Sequence, residues 1–253
     1  MDLLELSKKT VMLGLSQLSM LDKKNAKEYK FSTIVPREIK AEADLIIEKL
    51  LIDELSKSGL SILSEESGFI ESSNNADLRF IIDPIDGTVN FIRGISDCSI
   101  SVALFDGNVP IFGVLGSYPS GIIAFGGEGI GAFIGESPIH VSSIKDSKKG
   151  VLCTGFPSRF EFNSKTILDQ MNLIQSFNKV RMLGSASQSL LKVAQGSVEA
   201  YVESNIMIWD VAAGLAIVEG AGGKFKINKL NYDHPIDVIA YNNLIDKSIW
   251  TFQ

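Results

Sequence analysis

A short acidic segment, residues 83–88, combines residue types that suit phosphate and metal chemistry. It reads Asp83-Pro84-Ile85-Asp86-Gly87-Thr88 and follows an apolar run that predicts a buried strand. Two carboxylates three residues apart at a strand end would lie at one sheet edge. The backbone N–H groups of Gly87 and Thr88, opening a short helix, would suit a phosphate. Asp-Pro and Asp-Gly also form ordinary turns, so these six residues alone leave a purely structural interpretation open.

Two further segments also place acidic residues at the end of a strand or the start of a helix. Glu65 and Glu66 follow an apolar strand predicted over Leu60 to Leu63, and Asp210 stands at the start of a small-residue helix, where its simplest role is an N-cap. Clustered carboxylates repel one another unless a cation offsets their charge. The pattern therefore predicts a hard-cation site, and Mg²⁺ takes oxygen ligands and works with phosphate. Two such ions about 4 Å apart can activate a water and stabilise a leaving oxygen.

Hydrophobic periodicity and turn residues predict the elements that must position these side chains. Helices are predicted over Leu3 to Met20 and Ala41 to Leu55, joined by a mobile loop over Lys23 to Lys40. Strands follow, including a hairpin around Asp106-Gly107, and helices alternate with short strands after about Pro138. We therefore expect an α+β half over residues 1–140 and an α/β half over residues 141–253.

The same patterns predict the individual strands and helices of each half. In the first half, the strands around and after the hairpin turn are Ile100–Phe105, Val109–Leu115, Gly121–Phe125 and Gly131–Ile134. In the second half, the helices are Ser164–Phe177, Ser187–Gln195 and Val211–Glu219, and the strands are Val151–Thr154, Lys179–Leu183, Glu199–Val202 and Lys224–Ile227.

Composition excludes several classes of protein. The 253 residues are 45% hydrophobic and 21% charged, as in an ordinary globular protein with a sizeable core. Disordered, collagen-like and disulfide-scaffold classes are therefore ruled out. The formal charge of −6 argues against broad binding to nucleic acid, which requires a basic face.

The sequence also predicts a cytoplasmic location. Cys98 and Cys153 lack metal spacing and are expected to be buried free thiols in a reducing compartment. The acidic start around Asp2 and Glu5 is unlike a signal peptide. No apolar run approaches the roughly 18 residues of a membrane span, so no membrane contact is expected.

In these motifs the chain resembles the inositol monophosphatase family. Three signatures occur in the family's order: Glu65-Glu66-Ser67, Asp83-Pro84-Ile85-Asp86-Gly87-Thr88-Val89-Asn90-Phe91 and Trp209-Asp210-Val211-Ala212-Ala213-Gly214. Four further segments also match: Gly184–Ala186, Val193–Gly196, Glu199–Glu203 and Glu219–Gly223. The resemblance covers residues 41–240. It implies a layered α-β-α-β-α sandwich, of the type shared with fructose-1,6-bisphosphatase, and usually a homodimer.

The resemblance also implies roles for individual residues. One metal would be held by Glu65, Asp83 and the Ile85 carbonyl, and another by Asp83, Asp86 and Asp210. A third, weaker ion would contact Glu65 through water, so two to three Mg²⁺ ions are expected. Glu65 and the Thr88 hydroxyl would orient the attacking water. The N–H groups of Gly87 and Thr88 would bind the phosphate, and the substrate alcohol would face Asp86, Ser185, Ala186, Glu203 and Asp210.

One region departs from the family pattern. Members carry Val-Thr-x-x-Asp before the second helix, whereas this chain has Lys40-Ala41-Glu42-Ala43-Asp44, so the threonine is lost and Asp44 remains as an accessory residue. Members often have a lysine about eleven residues before that aspartate, where this chain has Thr33. The departure bears on the third metal and on the lithium sensitivity that is common in the family.

The expected function is magnesium-dependent hydrolysis of a phosphate monoester of a small polyol or sugar similar to inositol-1-phosphate. Histidinol phosphate, fructose bisphosphate and 3′-phosphoadenosine 5′-phosphate are alternative substrates on the same fold. Glu203 favours a polyol, because it could accept hydrogen bonds from vicinal hydroxyls. Haloacid dehalogenase phosphatases are disfavoured, because their motif is Asp-x-Asp-Gly-Thr and the present one has an extra residue. A regulatory binding protein on a phosphatase fold is the non-enzymatic alternative.

Overall fold

The structure, a computed structural model, contains six α-helices, two short 3₁₀ helices and thirteen strands in the part of the chain that it describes. That part comprises residues 1–25, 36–72, 77–156, 162–228, 230 and 232–246, with the side chains of 23–25 and 36–41 excepted. The helices are α1 (Leu3–Asn25), α2 (Pro36–Leu55), α3 (Thr88–Arg93), α4 (Ser164–Ser176), α5 (Ala186–Ala194) and α6 (Ile208–Gly220).

The first eight strands form one mixed sheet in the order β2-β1-β3-β4-β5-β6-β7-β8. Their bounds are β1 (Ser61–Ser64), β2 (Gly68–Ile70), β3 (Leu78–Asp86), β4 (Cys98–Asp106), β5 (Val109–Tyr118), β6 (Ile122–Gly127), β7 (Gly131–Ile134) and β8 (Ser137–Pro138). Only the pairing of β1 with β3 is parallel among these described strands, and it aligns Ser64 with Ile82. The end of β1 therefore lies beside the end of β3, where the first two acidic segments begin.

The remaining five strands form a second sheet in the order β10-β9-β11-β13-β12. Their bounds are β9 (Val151–Thr154), β10 (Lys179–Arg181), β11 (Ala200–Ile206), β12 (Lys224–Asn228) and β13 (Ile236–Tyr241). The strands β10, β9 and β11 run parallel, and β13 is antiparallel to its two neighbours.

Three apolar cores hold five layers of helices and strands together. Helices α1 and α2 cover one face of the first sheet, where Val11 of α1 and Leu51 of α2 share a core with Val114 of β5. A second core joins the other face of that sheet to α5, α6 and the second sheet. A third lies outside the second sheet, where Leu173 of α4 packs against Leu152 and neighbouring side chains. The expected α-β-α-β-α sandwich is thus confirmed.

Helix α6 lies in the middle layer because its residues from Val211 to Val218 are apolar or glycine on every side and are buried. A side chain at Gly113 of β5 would collide with the backbone of Ala213, so strand and helix are in close contact. A side chain at Gly214 would meet Leu190 of α5 at 2.6 Å. A helix that is apolar all round is stable only when it is enclosed in this way. The close packing fixes the first turn of α6, which carries Asp210.

The predicted loop over Lys23 to Lys40 is wrong at both ends. Helix α1 continues to Asn25, and α2 begins at Pro36. Proline suits the first position of a helix, where its missing N–H has no intrahelical acceptor in any case. Residues 26–35 lie outside the described part of the chain.

Most other predicted elements agree with the structure within a few residues. The strands over Gly131–Ile134 and Val151–Thr154 match in full, whereas β2, β8 and β13 were not predicted. The prediction that Cys98 and Cys153 are buried free thiols is confirmed. Burial raises the pKa of these thiols to about 12 and about 11 respectively. Among the helices in the described ranges, none combines the length and the apolar character that a membrane span requires.

Candidate active site

The turn that ends β3 holds Asp83 and Asp86 in a fixed geometry. The strand runs on to Asp86, but its register with β4 is interrupted between the two aspartates. Asp83 Oδ1 accepts a hydrogen bond from the Ile85 N–H at 3.0 Å, and the Thr88 hydroxyl donates to the Ile85 carbonyl at 2.9 Å. The motif residues therefore lock one another in place.

Gly87 allows the chain to pass from this turn into α3. Its φ of 86° is left-handed, and an added Cβ would lie 2.9 Å from the Asp97 carbonyl oxygen. Asn90 of α3 then donates hydrogen bonds to the carbonyls of Asp97 and Leu183, both at 2.7 Å. The second of these bonds ties the turn to the chain leading into α5, from which the next site residues come.

Three carboxylates converge at this point. Ligand oxygens of Asp83, Asp86 and Asp210 all lie within 4.8 Å of one another. Asp210 is not an N-cap, contrary to the prediction from its sequence position, because α6 begins two residues earlier, at Ile208. Its Oδ2 instead accepts from the Met207 N–H at 3.0 Å, so the carboxylate reaches back over the start of the helix.

Asp86 receives several donors from the start of α5. Its Oδ2 accepts from the Ser185 hydroxyl at 2.6 Å, from the Ser187 N–H at 2.7 Å and from the Ser187 hydroxyl. The Ala186 N–H approaches its Oδ1 at 3.4 Å. Burial raises the pKa of Asp86, and the hydrogen bonds from Ser185 and Ser187 oppose that rise.

Asp83 has a different environment. It is 1% exposed, and its Oδ2 has no hydrogen-bond donor among the described residues. Burial raises the pKa of this carboxyl well above its usual range, and the charges of Glu65, Asp86, Asp210 and Asp44 raise it further. Glu65 and Asp44 therefore contribute negative charge to the same place.

The chemistry of this donor set fits a hard divalent cation. Its atoms are carboxylate oxygens, which Mg²⁺ prefers, and Oδ2 of Asp83 has no hydrogen-bond partner in the described structure. Burial and the charges of Asp86 and Glu65 also raise the pKa of Asp210. A bound cation would offset this repulsion and keep the carboxylates ionised.

Glu203 lies on β11, at the side of the site formed by the second sheet. Its Oε2 accepts from the Tyr201 hydroxyl at 2.9 Å, and a Cβ on Gly155 would come within 2.7 Å of the same oxygen. Burial raises the pKa of Glu203 to about 7, with a further contribution from the charge of Asp86. Glu203 is thus near enough to Asp86 to sense its charge.

Sequence reasoning missed two residues that support the site. Ser187 lies next to the matched Gly184–Ala186 segment, yet nothing in its type indicated a bond to a carboxylate 101 residues away. Glu48 of α2 is 3% exposed and binds the turn that carries Glu65. Its spacing of one helical turn from Asp44 was the available signal.

Part of the divergent segment lies outside the described residues. This part includes Thr33 and Lys30, as well as the side chains of Lys40 and Ala41. Asp44 is described, and it is buried in α2.

Comparison with known proteins identifies the family. The model of the inositol monophosphatase family matches residues 9–242, and the chain belongs to that family. It is 33% identical over 186 residues to the Nus factor SuhB of Xylella fastidiosa, covering 72% of this chain and 66% of that protein. It is 34% identical over 189 residues to the fructose-1,6-bisphosphatase/inositol-1-monophosphatase of Thermotoga maritima, covering 74% and 70% respectively.

A solved structure shows the same fold over nearly the whole chain. The crystal structure of the extragenic suppressor protein suhB from Bartonella henselae superimposes with a TM-score of 0.79 at 27% identity. The match covers 96% of this chain and 94% of that one. The layered sandwich is therefore the fold of the family.

Proposed function

We propose that this protein is a magnesium-dependent phosphatase acting on a phosphate monoester of a small polyol or sugar, such as inositol-1-phosphate. One observation carries the proposal: Asp83, Asp86 and Asp210 converge within 4.8 Å beside the start of α3. Family membership supports phosphatase chemistry, and the narrower substrate is our inference.

The acidic side chains would hold the metal ions. Glu65, Asp83 and the Ile85 carbonyl would hold one ion, and Asp83, Asp86 and Asp210 a second. When bound, the ions would acidify a water and stabilise charge on the leaving oxygen. A third, weaker ion near Glu65 remains part of the proposal, with Asp44 as an accessory acid.

Thr88 would orient the water that attacks phosphorus. Its hydroxyl hydrogen is already donated to the Ile85 carbonyl, so its oxygen lone pairs can accept a hydrogen bond from a water. The Gly87 and Thr88 N–H groups precede the hydrogen-bonded part of α3 and would bind phosphate oxygens. Water attack releases inorganic phosphate, and the leaving alcohol takes up a proton.

The alcohol would face residues from the second half of the chain. Ser185, Ala186, Glu203 and Asp210 would line that side, together with Asp86. The carboxylate of Glu203 would accept hydrogen bonds from vicinal hydroxyls, which favours a polyol. We propose accordingly that the site lies between halves formed by residues 1–140 and 141–253. Homodimer formation, lithium inhibition and a cytoplasmic location remain predictions.

A panel of substrates assayed with Mg²⁺ tests this proposal. We expect inositol-1-phosphate or another polyol phosphate to turn over faster than histidinol phosphate, fructose-1,6-bisphosphate and 3′-phosphoadenosine 5′-phosphate. Asp86→Asn should strongly lower phosphate release, whereas Asp106→Asn, at the exposed end of β4, should leave it unchanged. Faster turnover of the nucleotide than of every polyol would contradict our choice of substrate.

A second candidate function is binding without catalysis. The relative from Xylella fastidiosa carries the name Nus factor SuhB, which is not the name of a phosphatase. A protein that released no phosphate from any member of the panel would favour this alternative. The acidic net charge predicts no broad nucleic-acid binding, and a filter-binding measurement on RNA with and without added salt would test that prediction.

A further inference from the structure

Glu48 uses both of its carboxylate oxygens to hold the turn between β1 and β2. Its Oε1 accepts from the Ser64 hydroxyl, from the Glu66 N–H at 3.2 Å and from the Ser67 N–H at 3.0 Å. Its Oε2 accepts from the Ser67 hydroxyl at 2.7 Å. The four donors therefore engage both oxygens of the carboxylate, three of them at Oε1 and one at Oε2.

The residue enclosed by these contacts is Glu65. Donors to Glu48 come from Ser64 on one side of it and from Glu66 and Ser67 on the other. The charge of Glu65 raises the pKa values of both Asp83 and Asp210, so its carboxylate lies close to the cluster. A shift of the turn would therefore move Glu65 relative to the cluster.

Helix α2 thus brings two buried acids to the site one turn apart. Asp44 adds its charge to the environment of Asp83. Glu48 instead contacts the turn, where both of its oxygens accept hydrogen bonds. The two residues share a helix face, but Asp44 contributes charge near Asp83 whereas Glu48 holds the turn.

We propose that Glu48 is a positioning residue: by clamping residues 64–67 it sets the position of Glu65 and thereby the affinity of the site for a divalent cation. The inference rests on the proposed function, because it assigns Glu65 to the cation site. The clamp itself depends only on the observed hydrogen bonds.

The variant Glu48→Gln tests the clamp. The amide keeps the size of the side chain but presents N–H donors where donors from the turn now bind. We expect Mg²⁺ affinity, measured by calorimetry without substrate, to fall about 10- to 100-fold, as when a residue supporting a metal ligand is lost. Glu42→Gln, at an exposed position of the same helix, is the matched control and should bind Mg²⁺ as the wild type does.

Amide hydrogen exchange gives a readout that does not depend on activity. In Glu48→Gln, the N–H groups of Glu66 and Ser67 should exchange faster, whereas the N–H groups within β3 should keep their protection. Ser67→Ala, which removes a single donor, should weaken Mg²⁺ binding in the same direction by a smaller factor. Its effect should not add to that of Glu48→Gln, because both variants break the same contact.

The outcomes separate the two proposals. A wild-type protein that binds no Mg²⁺ and releases no phosphate would contradict the proposed function. A wild type that binds Mg²⁺, together with a folded Glu48→Gln of equal affinity, would overturn the positioning role alone. Unchanged exchange at Glu66 and Ser67 would overturn the clamp.

Discussion

Asp83 and Asp86 leave the same strand three residues apart, yet they face different regions of the molecule. On the side of the first sheet, Asp83 lies among acidic neighbours and keeps a buried oxygen without a donor in the described structure. On the side of the middle layer, Asp86 accepts from three groups on Ser185 and Ser187. The first region concentrates uncompensated charge, whereas the second offsets charge with hydrogen bonds. A bound cation would therefore act chiefly on the charge around Asp83, whereas hydrogen bonds hold the side chain of Asp86 in place.

The largest expected effect is that of Asp83→Asn. The sign of its change in folding stability distinguishes the region around Asp83 from the region around Asp86. Asp83→Asn should lower magnesium-dependent hydrolysis about 1,000-fold, because losing a metal ligand forfeits several kcal/mol and each 1.36 kcal/mol is tenfold in rate. In chelator, however, the same variant should be more stable than the wild type, since it removes a buried repelling charge. Its Oδ1 can still accept from the Ile85 N–H. Urea denaturation in EDTA measures the stability change.

Asp86→Asn is the matched comparison. In chelator it should be less stable than the wild type, because an amide nitrogen would face donors that now bind a carboxylate, and buried donors left unpaired are costly. If both asparagine variants changed stability in the same direction, the contrast between the regions would be wrong.

Ser187→Ala should have a smaller effect, confined to the region around Asp86. It removes one donor to that carboxylate and leaves the Ser99 hydroxyl, which now contacts Ser187 at 2.5 Å, without this partner. We expect hydrolysis at limiting Mg²⁺ to fall about 10- to 100-fold, the range seen when a residue that orients a metal ligand is lost. Initial rates over a Mg²⁺ titration measure the change.

The control for this prediction is Ser189→Ala. Ser189 lies on the same buried helix, but its hydroxyl donates to the Ser185 carbonyl and not to Asp86. It should leave the Mg²⁺ dependence close to that of the wild type. Equal losses in the two variants would indicate general damage to α5, and Ser187 would then have no particular role at Asp86.

The chemistry of the turn after β3 could be predicted from the sequence, whereas the residues that support the turn could not. The residues of the turn after β3 are consecutive, and their types indicate both the turn and its chemistry. Their neighbours come from elsewhere: Ser187 is 101 residues from Asp86, and Glu48 is 19 residues from Ser67. A serine near a helix start and a glutamate on a charged helix are ordinary in sequence. Only the packing of α5 and α2 against the sheet gives them partners.

The errors in secondary structure have similarly local causes. The charges between Lys23 and Lys40 resemble a loop, although Pro36 is a valid signal for the start of a helix. Asp210 resembles an N-cap because the preceding Ile208 and Trp209 are apolar, yet these residues already belong to α6. In both cases the helix begins before the residue that the sequence pattern indicates. In α6, Ile208 is fully buried in the second core, and this packing stabilises the additional turn.

The smallest expected effect concerns Glu203 and the pH dependence of stability without metal. Burial raises the pKa of this group to about 7 in the folded protein, from 4.5 for an ordinary glutamate. The folded state therefore holds the proton more tightly than the unfolded state. This contribution to stability is complete below the unfolded pKa and is lost as the pH rises through the folded pKa. Between about pH 5.5 and about pH 8 the loss from this group is about 2 kcal/mol.

Glu203→Gln should remove this part of the pH dependence, because its amide does not titrate. Urea denaturation in EDTA at the two pH values, for wild type and variant, measures the difference. Glu128→Gln, an exposed control, should behave as the wild type does. The acids around Asp83 titrate in both proteins, so the difference between the two slopes isolates Glu203. Equal slopes would show that Glu203 is solvated like a surface acid, and its assignment to the enclosed substrate side of the site would then be wrong.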